Sequence, residues 1–516
     1  MTPIQDAYLP RWHPTVVHAL LDAARRSPTA PALRCGDDAL DYRAYAACVA
    51  GFARELAALA APGERVALLM GNSVDIAIAT FAVQAAGLQL APLNPASTAF
   101  ELAPILASAA PAVLVHDADC APELLAAARE GGVPHLRAVG PGARLTQWPA
   151  DALDLAAFPL PEPDALSTLQ YTGGTTGRAK GVDLTHRAVA TNVSQREVLL
   201  PTVDEAERIL VVTPMFHVYA VSMGLYLAAY CRGELVLMPR FRADAVLQAL
   251  QQHRITLFSG SPTIFNGLMS NVGFAATDFS ALQLCFSGTA ALPEATLRHW
   301  EQATGCVVAE GYGQSEAGPV LSFNPRHGLR KPGSVGTPLP QTEIEIVDLD
   351  TGTRVLGTGE VGEIRARGPQ LMRGYRGLPE ETAAALRDGW LYTGDIGELD
   401  ADGHLYIRDR KKDLVIVGGY NVYPREVEEA LHAHPGVAEA AVVGVPDAYR
   451  GEALVAYVVC RDGKVSVDAL QQHLAQRLLR YKWPAQLHLV PVLPRTAVGK
   501  LDKVRLRQQA QQAPQG

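Results

Sequence analysis

Tyr171-Thr-Gly-Gly-Thr-Thr-Gly-Arg-Ala-Lys-Gly-Val182 decides how the rest of this chain is read. Glycine lets backbone N–H groups approach an anion closely, threonine adds hydroxyl donors, and Arg178 and Lys180 add positive charge. The chemistry that fits is gripping a polyphosphate; the plainer reading is a surface turn. A Walker A loop does not fit, because Lys180 lies between Ala179 and Gly181 rather than after glycine and before Ser or Thr. The flanks Leu166–Tyr171 and Ala179–Leu184 read as short strands, and a helix follows only after Thr185, its expected N-cap. The stretch is therefore expected to join two strands, with no helix dipole aimed at its ligand.

Outward from the loop, hydrophobic periodicity predicts βα alternation and hence a largely parallel sheet. On the N-terminal side the expected helices are Thr15–Ser27, Tyr42–Ala60, Ser73–Ala86 and Ala99–Ala109. The expected strands are Pro31–Arg34, Leu40–Tyr42, Arg65–Leu69, Leu88–Leu93 and Ala112–His116. Beyond the loop the pattern resumes with strands Arg208–Thr213, Glu234–Leu237 and Leu257–Ser259 and helices Met223–Tyr230 and Ala243–His253. Past about Pro332 short strands punctuated by glycine predict a small β-rich subdomain. Beyond the charged run Asp409-Arg-Lys-Lys-Asp413, itself read as a solvated turn, the pattern fits a compact α+β unit. The fold class expected is α/β: a large N-terminal domain of two α/β subdomains plus the β-rich one, and a small α+β C-terminal domain. The boundary is placed near Lys412, giving domains 1–411 and 412–516.

The chain has 516 residues, too many for one ordinary core, and 48% are apolar. A net charge of −8 argues against a nucleic-acid partner. Seven scattered cysteines without a CxxC pair point to a reducing, cytoplasmic compartment. The start, Met1-Thr-Pro-Ile-Gln-Asp, does not read as a signal peptide. The most apolar window, Val211–Tyr230, is broken by Thr213, Pro214, His217 and Ser222, so it reads as buried core lining a pocket and not as a membrane span. Peripheral membrane contact and oligomeric state are left open.

Five further stretches carry chemistry. Pro214-Met-Phe-His217 offers an imidazole beside an aromatic ring, with a satisfied core histidine as the plain reading. Glu310-Gly-Tyr-Gly-Gln-Ser-Glu316 offers a tight turn presenting an aromatic face, and Glu316 a hard oxygen ligand for Mg²⁺. Asp395, in Gly389-Trp-Leu-Tyr-Thr-Gly-Asp395, is either a capping carboxylate or an acceptor for a ribose diol. Val417-Gly-Gly-Tyr-Asn-Val-Tyr-Pro424 reads as a turn or as a surface for close passage of an extended ligand. Pro494-Arg-Thr-Ala-Val-Gly-Lys500 ends in a lysine that is ordinarily solvated.

In this order and at these separations, the set resembles the superfamily of acyl-CoA synthetases, adenylation domains and firefly luciferase. The similarity runs from the N-terminal helices to just beyond Lys500. The Tyr171 loop, the Glu310–Glu316 motif and Lys411-Lys-Asp-Leu-Val-Ile-Val-Gly-Gly-Tyr-Asn-Val-Tyr-Pro-Arg-Glu-Val-Glu look most like bacterial medium- to long-chain fatty acyl-CoA synthetases. The resemblance implies an AMP-forming acid–CoA ligase that uses ATP, Mg²⁺ and coenzyme A. A carboxylate attacks the α-phosphate of ATP, pyrophosphate leaves, and the CoA thiol then displaces AMP.

Residue by residue, the resemblance assigns Thr172, Gly173, Gly174, Thr175, Thr176 and Lys180 to the phosphates, and Glu316 with Thr175 or Thr176 to Mg²⁺. Thr289, Ala290 and Ala291, with Tyr312, flank the adenine, and Glu310, Gly311, Gly313, Gln314 and Ser315 complete the ATP/AMP-binding set. Asp395 and Arg410 bind the ribose, and Ile407 also belongs to the ATP/AMP-binding set. Lys500 bridges carboxylate and α-phosphate, and counts as catalytic with His217, Glu316 and Thr176. His217, Val221, Gly288 and Gly313 line the acyl pocket, and Gly418, Gly419 and Tyr420 lie where CoA passes. The small domain is implied to be mobile about Lys412, so that Lys500 and the Gly418–Gly419 face serve the two half-reactions in turn.

Two departures qualify these implications. Ser287-Gly-Thr-Ala-Ala-Leu-Pro293 replaces the more common Gly-Gly-Ala-Pro adenine loop, and Val221 is small where some long-chain enzymes place a bulky tunnel gate. The alternatives share the adenylation step: an aryl- or short-chain acyl-CoA ligase, a carrier-loading adenylation enzyme, or an oxygen-dependent luciferase. From a different class comes an inactive nucleotide-binding regulator, which would not need Lys180, Glu316, Asp395, Arg410 and Lys500 together.

Overall fold

The computed structural model describes residues 9–148, 160–172, 179–447, 449–461, 465–495 and 501–512. They fall into two compact units. The first comprises residues 1–292, 296–343 and 366–391; the second comprises 293–295, 344–365 and 392–516.

The first unit contains two sheets. In the described residues one has seven strands, in the order Gly374–Tyr375, Lys180–Thr185, Leu166–Thr172, Gln89–Leu93, Arg65–Leu69, Val113–Asp117, His135–Val139. The run from Leu166–Thr172 to His135–Val139 is parallel, and Arg65–Leu69, Gln89–Leu93, Val113–Asp117 and His135–Val139 are connected in chain order through helices. The other has nine strands, with Val307–Gly313, Leu284–Ser287, Leu257–Gly260, Arg208–Val211, Glu234–Leu237 and Pro31–Cys35 parallel in its middle. These are the two expected α/β layers. A parallel sheet is covered on both faces, so its strands are apolar on both, as Arg65–Leu69 and Gln89–Leu93 are. The helices begin where their caps dictate: Thr15 accepts from His18 N–H, Ser73 from Ile76 N–H and Thr185 from Ala188 N–H. Behind the nine-stranded sheet an aromatic cluster forms the core, with Trp300 fully buried and its ring 4.8 Å from that of Phe265.

The apolar window is buried core, but its helix starts at Val218 rather than Met223 and passes through a π-helical turn at Val221–Tyr226. A Cβ on Gly224 would lie 2.3 Å from the Val211 side chain, so glycine lets this helix lie close to the sheet. Among the described residues no helix is long and apolar enough to cross a membrane.

In the second unit, residues 395–399 pair antiparallel with Leu405–Arg410. A five-stranded sheet follows, in the order Tyr420–Val422, Val415–Val417, Gly451–Cys460, Val437–Asp447, with Gln486–Leu489 against Gly451–Cys460. Helices Pro424–His432 and Val467–Ala475 cover it around Val427, Leu431, Leu470 and Leu474. The charged run differs from the solvated turn expected. Asp409 and Asp413 are buried; Asp409 accepts the Arg425 N–H at 2.9 Å, Arg507 bonds Asp413, and Lys411 pairs with Glu363 at 2.8 Å. Each buried carboxylate has a donor, which is the condition for burying it.

One buried group in the first unit makes the fold sensitive to acid. His186 opens the helix after the glycine-rich loop, is 1% exposed, and neither ring nitrogen has a partner. Burial lowers its pKa to about 4. The unfolded chain takes up this proton below pH 6.5 and the folded chain only below about 4, so stability is lost as pH falls through that window. The expected loss from this residue is about 3 kcal/mol. Melting temperatures between pH 7 and 4 should fall less steeply in His186→Leu than in the parent; equal slopes would contradict the assignment.

Candidate nucleotide and acyl-transfer site

The strands flanking the glycine-rich loop are antiparallel partners, with Thr172 opposite Lys180. The loop therefore joins a β-hairpin, as expected, and the helix begins beyond it at His186. Gly173, Gly174, Thr175 and Thr176 lie outside the described residues, as does Lys500.

Within the first unit, two of the expected site residues converge. The Lys180 ammonium lies 5.0 Å from the centroid of the Tyr375 ring. The Tyr375 hydroxyl donates to Glu316 Oε1 at 2.9 Å. One tyrosine thus contacts a cation over its ring and a carboxylate through its hydroxyl. Burial, and next the Glu316 charge, push the Tyr375 phenol well above its ordinary pKa, so it stays a donor. Among the described residues no cluster of three or more His, Cys, Asp or Glu side chains could hold a metal. A single carboxylate nonetheless suits Mg²⁺, which keeps several waters and takes its other oxygens from substrate phosphates.

The Glu310–Glu316 motif departs from expectation. Residues 310–313 are not a tight turn but the end of strand Val307–Gly313, antiparallel to Val320–Phe323. Its glycines answer to packing: a Cβ on Gly311 would lie 2.4 Å from the Phe323 ring, and one on Gly313 1.9 Å from the Pro319 carbonyl oxygen. Tyr312 is half-buried on this strand, and Gln314 N–H donates to Pro319 O at 2.9 Å. Ser315 and Glu316 follow in a 3₁₀ turn. Glu310 acts on the neighbouring loop. Its buried carboxylate accepts the Leu292 N–H at 2.8 Å, while strand pairing sets Ser287 opposite Glu310. The loop Gly288–Ala291 is thereby fixed beside Glu310–Gly313. Thr289 holds a φ of +69° there, a conformation that costs a β-branched residue on the order of 1–3 kcal/mol and that clusters at functional sites.

His217 is the N-cap of its helix; its Nδ1 accepts the Tyr219 N–H at 3.2 Å. Two buried amides staple the preceding segment, and both escaped the sequence reading. Asn72 donates to Thr213 O and Met238 O and accepts from Met215 N–H, and Gln170 donates to Phe216 O. Nothing in the pattern singles out an Asn or Gln as a staple. Val221 is buried, and a Cβ on Gly288 would lie 2.9 Å from the Tyr219 ring, so Gly288 and Tyr219 are in close contact.

In the second unit Asp395 is directly opposite Arg410 in the strand pair, with Arg410 Nε 3.5 Å from Asp395 Oδ1. Ile407 is on the same strand as Arg410, half-buried. Gly418 and Gly419 form the two-residue turn of a hairpin in which Val417 pairs with Tyr420. Their φ values are +58° and +86°, and nothing lies within 4 Å of either Cβ position, so backbone conformation and not crowding selects glycine. Tyr420 is 60% exposed and stacks on Tyr481 at 4.7 Å.

The sequence matches the family model for AMP-binding enzymes over residues 20–376, and that for the AMP-binding enzyme C-terminal domain over 426–500. The chain belongs to the AMP-binding enzyme family. It is 45% identical over 348 residues to a long-chain-fatty-acid–CoA ligase of Bacillus subtilis, covering 67% of this chain and 62% of that one. It is 38% identical over 492 residues to a feruloyl-CoA synthase of an Amycolatopsis species, covering 94% and 96%. The ATP-bound crystal structure of MatB from Rhodopseudomonas palustris superposes with a TM-score of 0.88 at 33% identity, covering 96% of this chain and 99% of that one.

Proposed function

We propose that the protein is an AMP-forming acid–CoA ligase that activates a medium- or long-chain fatty acid. The observation that carries the activation chemistry is the meeting of Lys180 and Glu316 on Tyr375. Adenylation brings a carboxylate onto a polyphosphate, so its barrier is largely electrostatic, and preorganised cations and donors lower it. Lys180 offsets phosphate charge, and the threonines of the glycine-rich loop donate hydrogen bonds to the phosphate oxygens. Glu316, with Thr175 or Thr176, would hold Mg²⁺, which would screen phosphate charge. Asp395 accepts from the ribose hydroxyls, Arg410 lies beside it, and Lys500 bridges the attacking carboxylate and the α-phosphate. His217 flanks the acyl group, with Val221 and Gly288 beside it. The small domain turns about Lys412 between half-reactions, withdrawing Lys500 and bringing the Gly418–Gly419 turn and Tyr420 to the thiol path.

The fatty-acid assignment leans on the Bacillus relative; the Amycolatopsis relative favours a second reading, an aryl-substituted acid. Acid-dependent AMP formation with CoA, across saturated C6–C18 acids and hydroxycinnamic acids, separates them. A maximum among the medium- or long-chain aliphatic acids is expected; selective turnover of aromatic acids would replace the first reading with the second.

The turn glycines give a further expected result. Leucine at 419 would strain the left-handed backbone by about 1–2 kcal/mol whatever the turn does, so Gly419→Asn, which tolerates that conformation, is the cleaner substitution. It should slow thioester formation from supplied acyl-adenylate more than adenylation, with an unchanged melting temperature. Equal losses in both half-reactions would argue against CoA passing there.

A further inference from the structure

We propose that Tyr375 is a positioning residue with two separable actions: its hydroxyl orients the Glu316 carboxylate, and its ring holds the Lys180 ammonium. The inference rests on the reading of Glu316 and Lys180 given above. No motif pointed to Tyr375; it emerges only because strand Gly374–Tyr375 adds to the edge of the sheet beside Lys180–Thr185, with Tyr375 opposite Val182 and Gly374 opposite Asp183.

The segment around it is built to hold one geometry. Arg373 N–H donates to Asp183 O and Arg376 N–H to Gly181 O, both at 2.8 Å, so the strand is tied to the one that carries Lys180. Met372 N–H donates to Glu316 O at 2.8 Å, so the backbone of the carboxylate residue is tied to the same segment as its side chain. Tyr375 N–H donates to Thr382 Oγ1 at 2.9 Å, and Thr382 in turn donates to Leu378 O at 2.8 Å. Gly374 has a φ of +155°, and a Cβ there would lie 2.8 Å from the Thr382 methyl, so the tyrosine is seated by a close approach that only glycine permits. A cation held over an aromatic face keeps its charge while losing rotamer freedom. A carboxylate whose one oxygen accepts from a fixed hydroxyl presents the other in a fixed direction, and loss of such outer support typically costs 10–100-fold in metal affinity.

The two actions are separated by equilibrium ATP binding, without acid or turnover, in Mg²⁺ and in EDTA, for Tyr375→Phe and Tyr375→Leu. The phenylalanine keeps the ring and loses the hydroxyl; it should weaken ATP affinity about tenfold in Mg²⁺ and less than about twofold in EDTA. The leucine loses both and should weaken affinity in both buffers, by a further factor of about three to five in EDTA. Glu316→Gln and Lys180→Ala are measured alongside. If the Phe variant matches the parent in Mg²⁺, or binds more tightly, the orienting action is wrong. If the Leu variant matches the Phe variant in EDTA, the ring's action is wrong. If Glu316→Gln and Lys180→Ala themselves bind ATP as the parent does, it is the underlying site reading that fails. Melting temperature is recorded for each variant, and a Phe variant that loses affinity equally in both buffers indicates a structural role and overturns the proposal.

Discussion

Lys500→Ala should lower acid-dependent pyrophosphate release by about 10²–10³-fold while leaving thioester formation from supplied acyl-adenylate and CoA within a few-fold of the parent. The carboxylate and the α-phosphate repel as they approach, and negative charge grows on the departing pyrophosphate. In the role proposed for Lys500, a single ammonium touches both reactants and acts on that barrier and on nothing in the second half-reaction. The substitution should not disturb the fold. Arg495 and Leu501 form an isolated antiparallel bridge, Asp502 N–H donates to Pro494 O at 2.9 Å, and Leu501 packs against the cluster containing Leu493 and Leu506. Both ends of the lysine-bearing segment are thus anchored by groups that the alanine leaves intact. Adenylation near the parental rate would remove Lys500 from the reaction.

Asp395→Ala should raise the ATP concentration needed for half-maximal adenylation about 10–100-fold, the worth of a hydrogen bond to a charged acceptor plus its geometric constraint. The carboxylate is buried to 8% exposure on a strand paired with Leu405–Arg410, and a buried acceptor opposite a cation is well placed for a diol. Loss of the carboxylate leaves the Arg410 side chain 54% exposed and therefore solvated, so the cost to stability should be small beside the cost to nucleotide affinity. Titrating ATP at saturating acid and measuring the melting temperature in parallel separates the two. An unchanged ATP dependence would contradict the role.

The fold was largely readable because parallel strands and amphipathic helices leave opposite periodic signatures. Arg65–Leu69 and Glu234–Leu237 were placed to the residue, and the helix expected over 243–253 spans Ala243–Gln252. The helix Pro122–Glu130 and strand His135–Val139 went unread, since that edge strand is largely exposed and carries little apolar pattern. The helix begins at Val218 rather than at the expected Met223; Ser222 interrupts the apolar run where the helix widens into a π turn. In the site, Lys180, Glu316 and Asp395 stand out in the sequence because each is a charged residue in a glycine-rich context. Tyr375, Asn72 and Gln170 do not. Their work depends on partners 59, 143 and 46 residues away, respectively, and no local pattern encodes such a distance. The glycines at 311 and 313 were noticed for the wrong reason, since their requirement is interstrand contact and not a turn.

The two-step order of the reaction is open to direct measurement. Enzyme incubated with ATP, Mg²⁺ and a fatty acid, but no CoA, should release pyrophosphate and form acyl-adenylate detectable by mass spectrometry; adding CoA should convert that adenylate to acyl-CoA and AMP. Acyl-CoA formed with ADP and phosphate, or no acid-dependent pyrophosphate with any carboxylic acid offered, would contradict it.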